Sequence, residues 1–133
     1  LSQYGRSNES AEKMKQLWKL QDCPTGIILI PAQLGIKHAG KSVLRTRAVI
    51  RESEEFPLDS FETLQMVLTH QNRLQHYDDL WINFPGSEYS PDADGVFEFT
   101  LFMGLCGDIL RFDCHNTDGA IGYYGSATGF LPR

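Results

Sequence analysis

Apolar residues recur at helical spacing in two parts of the chain and alternate at strand spacing in several others. In 8–21, "NESAEKMKQLWKLQ", Ala11, Met14, Leu17 and Trp18 form one stripe, with Lys13 and Lys19 turned away. Ser7 or Asn8 can cap this helix, Glu9 and Glu12 suit its electropositive first turn, and Pro24 closes the segment. A longer helix is predicted from Asp59 to about Leu80. Asp59 followed three residues on by Glu62 has the form of a capping box. Leu64, Val67, Leu68, Leu74 and Trp81 supply its core-facing stripe, interrupted by Gln71. Residues 1–7, ahead of the first cap, are expected to be a poorly ordered arm.

The strand signals are shorter. "TGIILIPAQL" (25–34) reads as an edge or bulged strand, because Pro31 has no amide to give a ladder. "KSVLRTRAVIRE" (41–52) sorts at a period of two, with Leu44, Thr46, Ala48 and Ile50 on one side and Arg45, Arg47 and Arg51 on the other. "FPGSEYSPDADG" (84–95) reads as loop, from its prolines and glycines. "VFEFTLFM" and "DILRFDCH" flank a turn centred on Leu105–Cys106, pairing Phe97 with Cys114, Phe99 with Phe112 and Leu101 with Leu110. That leaves one wholly apolar face, expected to lie on the core. "AIGYYGSA" (120–127) is a last strand loosened by glycine, with Tyr123 and Tyr124 facing opposite ways.

The predicted fold class is therefore α+β, in the order α-β-β-α-β-β-β. A mainly antiparallel sheet of about five strands carries the long helix on one face. PAS and profilin-like sensor domains share that order, a likeness of topology alone. At 133 residues a single domain is expected. The net charge of −5 disfavours nucleic acid and anionic membranes as partners. No apolar run reaches the ~18 residues of a membrane span, and residues 1–22 hold no apolar leader segment. Three cysteines, Cys23, Cys106 and Cys114, without a C-x-x-C pair, suit reduced thiols and a cytoplasmic protein.

"GIKHAGKS" (35–42) matches the phosphate-loop pattern G-x-x-x-x-G-K-[ST]. The pattern needs a strand running into its first glycine and a helix starting at its lysine. Here "PAQL" separates the apolar run from Gly35, and the residues after Ser42 read as extended. A hairpin loop is expected instead, with nucleotide binding through Lys41 and Ser42 as an alternative. "SPDADG" starts like a calcium loop but places Leu101 where the bidentate glutamate belongs, so a solvated turn is expected. No cofactor or metal is implied.

The polar face of the predicted sheet holds the candidate site. Glu98 opposite Asp113 would set two carboxylates together, calling for Arg45, Arg47 or Arg111 beside them, and His115 follows on the same side. Tyr123 or Tyr124 could form an aromatic wall. Cys114 alternates into the core. His70, Arg73 and Tyr77 share a helix shoulder. These residues point to a non-catalytic module binding a small polar or anionic molecule or a protein partner. Unpaired strand edges leave room for a homo-oligomer. A hydrolase or transferase using Glu98, Asp113 and His115 is the alternative.

Overall fold

A computed structural model describes residues 3–22, 26–92 and 94–132. Its strands are β1 (Gln3–Arg6), β2 (Ala32–Leu34), β3 (Glu55–Pro57), β4 (Trp81–Ser90), β5 (Phe99–Cys106), β6 (Ile109–Asn116) and β7 (Tyr124–Phe130). Its α-helices are α1 (Asn8–Gln21), α2 (Val43–Ile50) and α3 (Ser60–Thr69), with single 3-10 turns at Ile36–His38 and Gln71–Arg73. The protein is α+β. Its main sheet path runs β2-β7-β4-β5-β6, with β1 added to β4 and β3 to β7. The sheet is mixed, because β4 runs parallel to β7 while the other pairs are antiparallel.

Alternation along β4 divides the interior in two. Ile82 and Phe84 join Leu17, Phe56, Leu58, Met103, Ala127 and Leu131 in the larger core, against which Met14 of α1 and Leu64, Met66 and Val67 of α3 pack. Each large apolar side chain buried there contributes about 1.5–3 kcal/mol. Trp81 and Asn83 face the other way. On that side Trp81, Phe102 and Tyr124 make a small aromatic core, and Asn83, Ser126 and Thr128 are fully buried. The 3-10 turn at Ile36–His38 and α2 lie over this side: His38 reaches the Glu55–Thr128 pair, and Arg47 reaches β4.

The helix starts follow the predicted chemistry. Ser7 accepts the Ser10 amide, and Asp59 with Glu62 forms the complete capping box. Ala32–Leu34 is an edge strand, as the proline before it requires. Several expectations are overturned. The five-stranded order gives way to β-α-β-α-β-α-β-β-β-β, so the sensor-domain likeness lapses. Gln3–Arg6 pairs with β4 instead of forming an arm, and Arg6 bonds Glu62 at 2.5 Å. The long helix stops at Thr69, whose hydroxyl turns back to the Gln65 and Met66 carbonyls. This back-bonding competes with further helical turns.

The stretch 84–90 is strand rather than loop. Its Pro85–Gly86 pair falls within the register shift between Phe84 and Tyr89, where a missing amide and a missing side chain are tolerated. Residues 43–50 form a helix, not a strand. Ser42 caps it through the Arg45 amide, and the buried side chains are Val43, Thr46 and Ile50, at helical spacing. Leu44 and Ala48 are exposed, so the two-residue alternation had counted surface residues as core. The hairpin turn is Gly107–Asp108, with positive φ at Gly107. Leu101 therefore faces Cys114 and Met103 faces Phe112. The strands slide by an even number of residues, so the apolar face survives. On β5, Leu101 and Met103 join the larger core, and the Phe112 ring lies 5.7 Å from that of Phe84, but on β6 Leu110 and Phe112 are still exposed and Cys114 half-buried.

Candidate functional sites

The phosphate-loop pattern has the flanks it needs but not the hole. β2 runs directly into Gly35, and α2 follows Ser42. Backbone amides should then converge on an anion. Instead six of the eight amides of 35–42 are already bonded within the protein. The amides of Gly35 and Lys37 donate to Gln33 Oε1, His38 to Gly35, Ala39 to Ile36, Gly40 to Tyr124 and Lys41 to His38. At the start of the helix, Leu44 donates to the Thr117 carbonyl and Arg45 to Ser42 Oγ. Lys41 Nζ lies 3.3 Å from His38 Nδ1.

What the loop builds is a buried polar lock. Glu55 Oε1 takes His38 Nε2 and Thr128 Oγ1, each at 2.6 Å, and its Oε2 takes Lys37 Nζ at 2.6 Å. Gln33 completes the network on Thr128 Oγ1 and the Ser126 carbonyl. Burial pushes the Glu55 carboxyl up, but the bonds from Lys37, Thr128 and His38 outweigh it and hold the group below its ordinary range.

Five of the eight residues singled out from the sequence meet at one corner of the sheet. Arg111 bonds Asp113 at 3.0 Å and lies over the Phe102 ring. His115 Nε2 bonds Asn83 Oδ1 at 2.8 Å and packs on Phe102 and Tyr124; its burial lowers its pKa. Tyr123 and Tyr124 do not face opposite ways: their rings are 5.0 Å apart, and both pack on Trp81. Tyr123 precedes the strand, so alternation does not govern it.

The other three lie elsewhere. Arg47 is structural, donating Nε to the Pro85 carbonyl at 2.8 Å and Nη2 to that of Ser87 at 2.9 Å. Arg45 is exposed on α2 and does not share a surface with it as a strand would require. Glu98 lines a shallow hollow with Leu44, Asn116, Thr117 and Asp118. The register sets Phe102, not Glu98, opposite Asp113, so the expected carboxylate pair does not form. Glu98, Asp113 and His115 thus share no hydrogen bond. Cys23 lies outside the described residues. Arg73 leaves the predicted shoulder to hold the Leu34 carbonyl. Asp94 closes the 90–96 turn on Ser90 and the Val96 amide. Among the described residues no three His, Cys, Asp or Glu side chains group as metal ligands, and no helix is long and apolar enough to cross a membrane.

The sequence reading missed an apolar trough between α1 and α3. Two hollows of 470 and 490 Å³ share Met14, Ile28, Phe61 and Glu62, and together run from Thr69 to Trp18. The Gln21 side chain bonds both the amide and the carbonyl of Leu29, fixing the third wall against α1. Phe61 is 67% and Leu29 73% exposed. Beneath them Arg6 bonds the Glu62 carboxylate and lies 3.8 Å from that of Asp59, so the buried charges there are paired. The sequence signal was present: Phe61 lies off the helix stripe, and Leu29 alternates outward between Ile28 and Ile30; Leu68, expected on the core, is exposed instead.

These features define an α+β protein with an open apolar trough and a separate aromatic, polar corner. No family model matches the chain, and no curated protein or solved structure is significantly similar to it.

Proposed function

We propose that this is a non-catalytic interaction module that holds an apolar segment of a partner protein in the trough between α1 and α3. The observation that carries the reading is the exposure of Phe61 and Leu29 along two joined hollows. Contiguous exposed apolar surface of this kind is costly to keep in water and marks sites of interaction. The trough is open along its length, which suits a chain segment carrying two or more apolar side chains better than one small enclosed molecule. With Arg6 and Glu62 satisfying each other, apolar contact rather than net charge would select the occupant.

The aromatic corner supports a second reading, a small polar ligand. Arg111 and Asp113 offer a donor and an acceptor side by side, next to the exposed Tyr123 ring. One experiment separates the two. Peptides selected from a displayed random library against the wild-type chain should carry spaced apolar residues. Their binding should fall about thirtyfold or more with Phe61→Glu and stay unchanged with Tyr123→Ala. Loss with Tyr123→Ala alone would transfer the function to the corner. Peptides that tolerate both substitutions would refute both sites.

A further inference from the structure

β6 is the outermost strand at its end of the sheet and spans eight residues, against three for β2 at the other end. A long open edge is a template for another strand. Its hydrogen-bonding phase can be read directly. Thr117 donates to the Glu98 carbonyl at 2.9 Å, so by the register Ile109, Arg111, Asp113 and His115 face β5 with their backbone groups. Leu110, Phe112, Cys114 and Asn116 point theirs to the open side. One of these amides already has a stand-in partner: the Asp113 carboxylate accepts the Cys114 amide at 2.8 Å through one oxygen and Arg111 at 3.0 Å through the other.

We infer that this edge pairs with β6 of a second copy of the chain, antiparallel about a two-fold axis through Phe112, joining two sheets into one. Three independent features choose that partner and that register. Phe112 has outward backbone groups, so Phe112 can exchange both hydrogen bonds with Phe112 of the partner subunit. An axis at Phe112 pairs 109–115 of each copy, whereas one at Leu110 pairs only 109–111 and one at Cys114 only 112–116. The same axis sets Arg111 across from Asp113 of the partner subunit, and Asp113 across from Arg111 of the partner subunit.

The charges are therefore self-complementary under a two-fold operation, as an isologous contact requires. In a non-hydrogen-bonded antiparallel pair the two Cα atoms approach to about 4.5 Å, close enough for those side chains to bond. On the other face, Leu110 (55% exposed) and Phe112 (50% exposed) would be covered by Cys114 and Phe112 of the partner subunit. The Cys114 amide would trade the Asp113 oxygen for the Leu110 carbonyl of the partner subunit. The inference is independent of the trough, which lies on the helical layer.

Sedimentation equilibrium tests it. The wild-type chain is expected to form a dimer. Asp113→Arg and Arg111→Asp should each weaken it about tenfold or more, since each turns two attractive cross-strand pairs into repulsive ones. An equimolar mixture of those two variants should recover a heterodimer, because every pair across the axis is again opposite in charge. Phe112→Pro removes an outward amide that β5 does not use, and should also give a monomer while leaving the urea unfolding transition cooperative. A wild type that stays monomeric, single variants that dimerise like it, or a mixture that fails to recover the dimer would each overturn the inference.

Discussion

At the scale of single residues, Glu55 shows how a buried charge is made tolerable. Its carboxylate lies 6% exposed, yet three donors bond it: His38, Thr128 and Lys37. Because its folded pKa is depressed, the folded state binds fewer protons than the unfolded chain near the acid range. The stabilisation is complete above the unfolded carboxyl value, about 4.3, and drains as pH falls through the folded one. Glu55→Gln should cost about 2 kcal/mol at neutral pH and flatten the loss of stability below about pH 5, read from urea midpoints across pH. An unchanged acid slope would place that dependence elsewhere. Neither partner was legible beforehand. His38 sat inside a motif that drew attention to its lysine, and Glu55 in a run of acidic residues. Local patterns carry no information about which distant side chains will meet.

At the scale of elements, α2 shows how periodicity can mislead. Eight residues with arginine at alternate positions sort neatly at a period of two, but the residues that pack are Val43, Thr46 and Ile50. The N-cap was the better signal, since Ser42 occupies the position from which a side chain can take the Arg45 amide. Ser42→Ala should cost about 1 kcal/mol in urea unfolding. The wild type and Lys41→Ala, by contrast, should both unfold thermally the same with ATP or GTP and magnesium as without them, since six of the eight loop amides are already bonded. A nucleotide-dependent rise in Tm that Lys41→Ala abolishes would restore the phosphate-loop reading. The β5–β6 hairpin was more forgiving. Placing its turn at Gly107–Asp108 changes every partner but, being an even slide, no face.

At the scale of the whole molecule, the contact between Gly35 and Gly125 joins the ends of the chain's logic. A Cβ on Gly125 would lie 2.2 Å from the Gly35 carbonyl oxygen, and backbone there has nowhere to retreat. Gly125→Ala should therefore destabilise by about 3 kcal/mol. Gly122→Ala, which meets nothing within 4 Å, should be near neutral in the same urea titration. Equal midpoints for the two variants would show that the loop at Gly35 does not press on β7. That close approach also keeps the loop at Gly35–Ser42 shut on the sheet rather than open to an anion.

Helix starts, the apolar face of the hairpin and the edge position of the strand after Pro31 were determined by the sequence alone, because caps, alternation and a missing amide act within a few residues of where they are written. The parallel β4–β7 pairing, the Glu55 lock, the corner of Arg111, His115 and the two tyrosines, and the trough between α1 and α3 were decided only by tertiary structure. Each depends on segments far apart in the chain, and burial assigns their roles after the layers have closed.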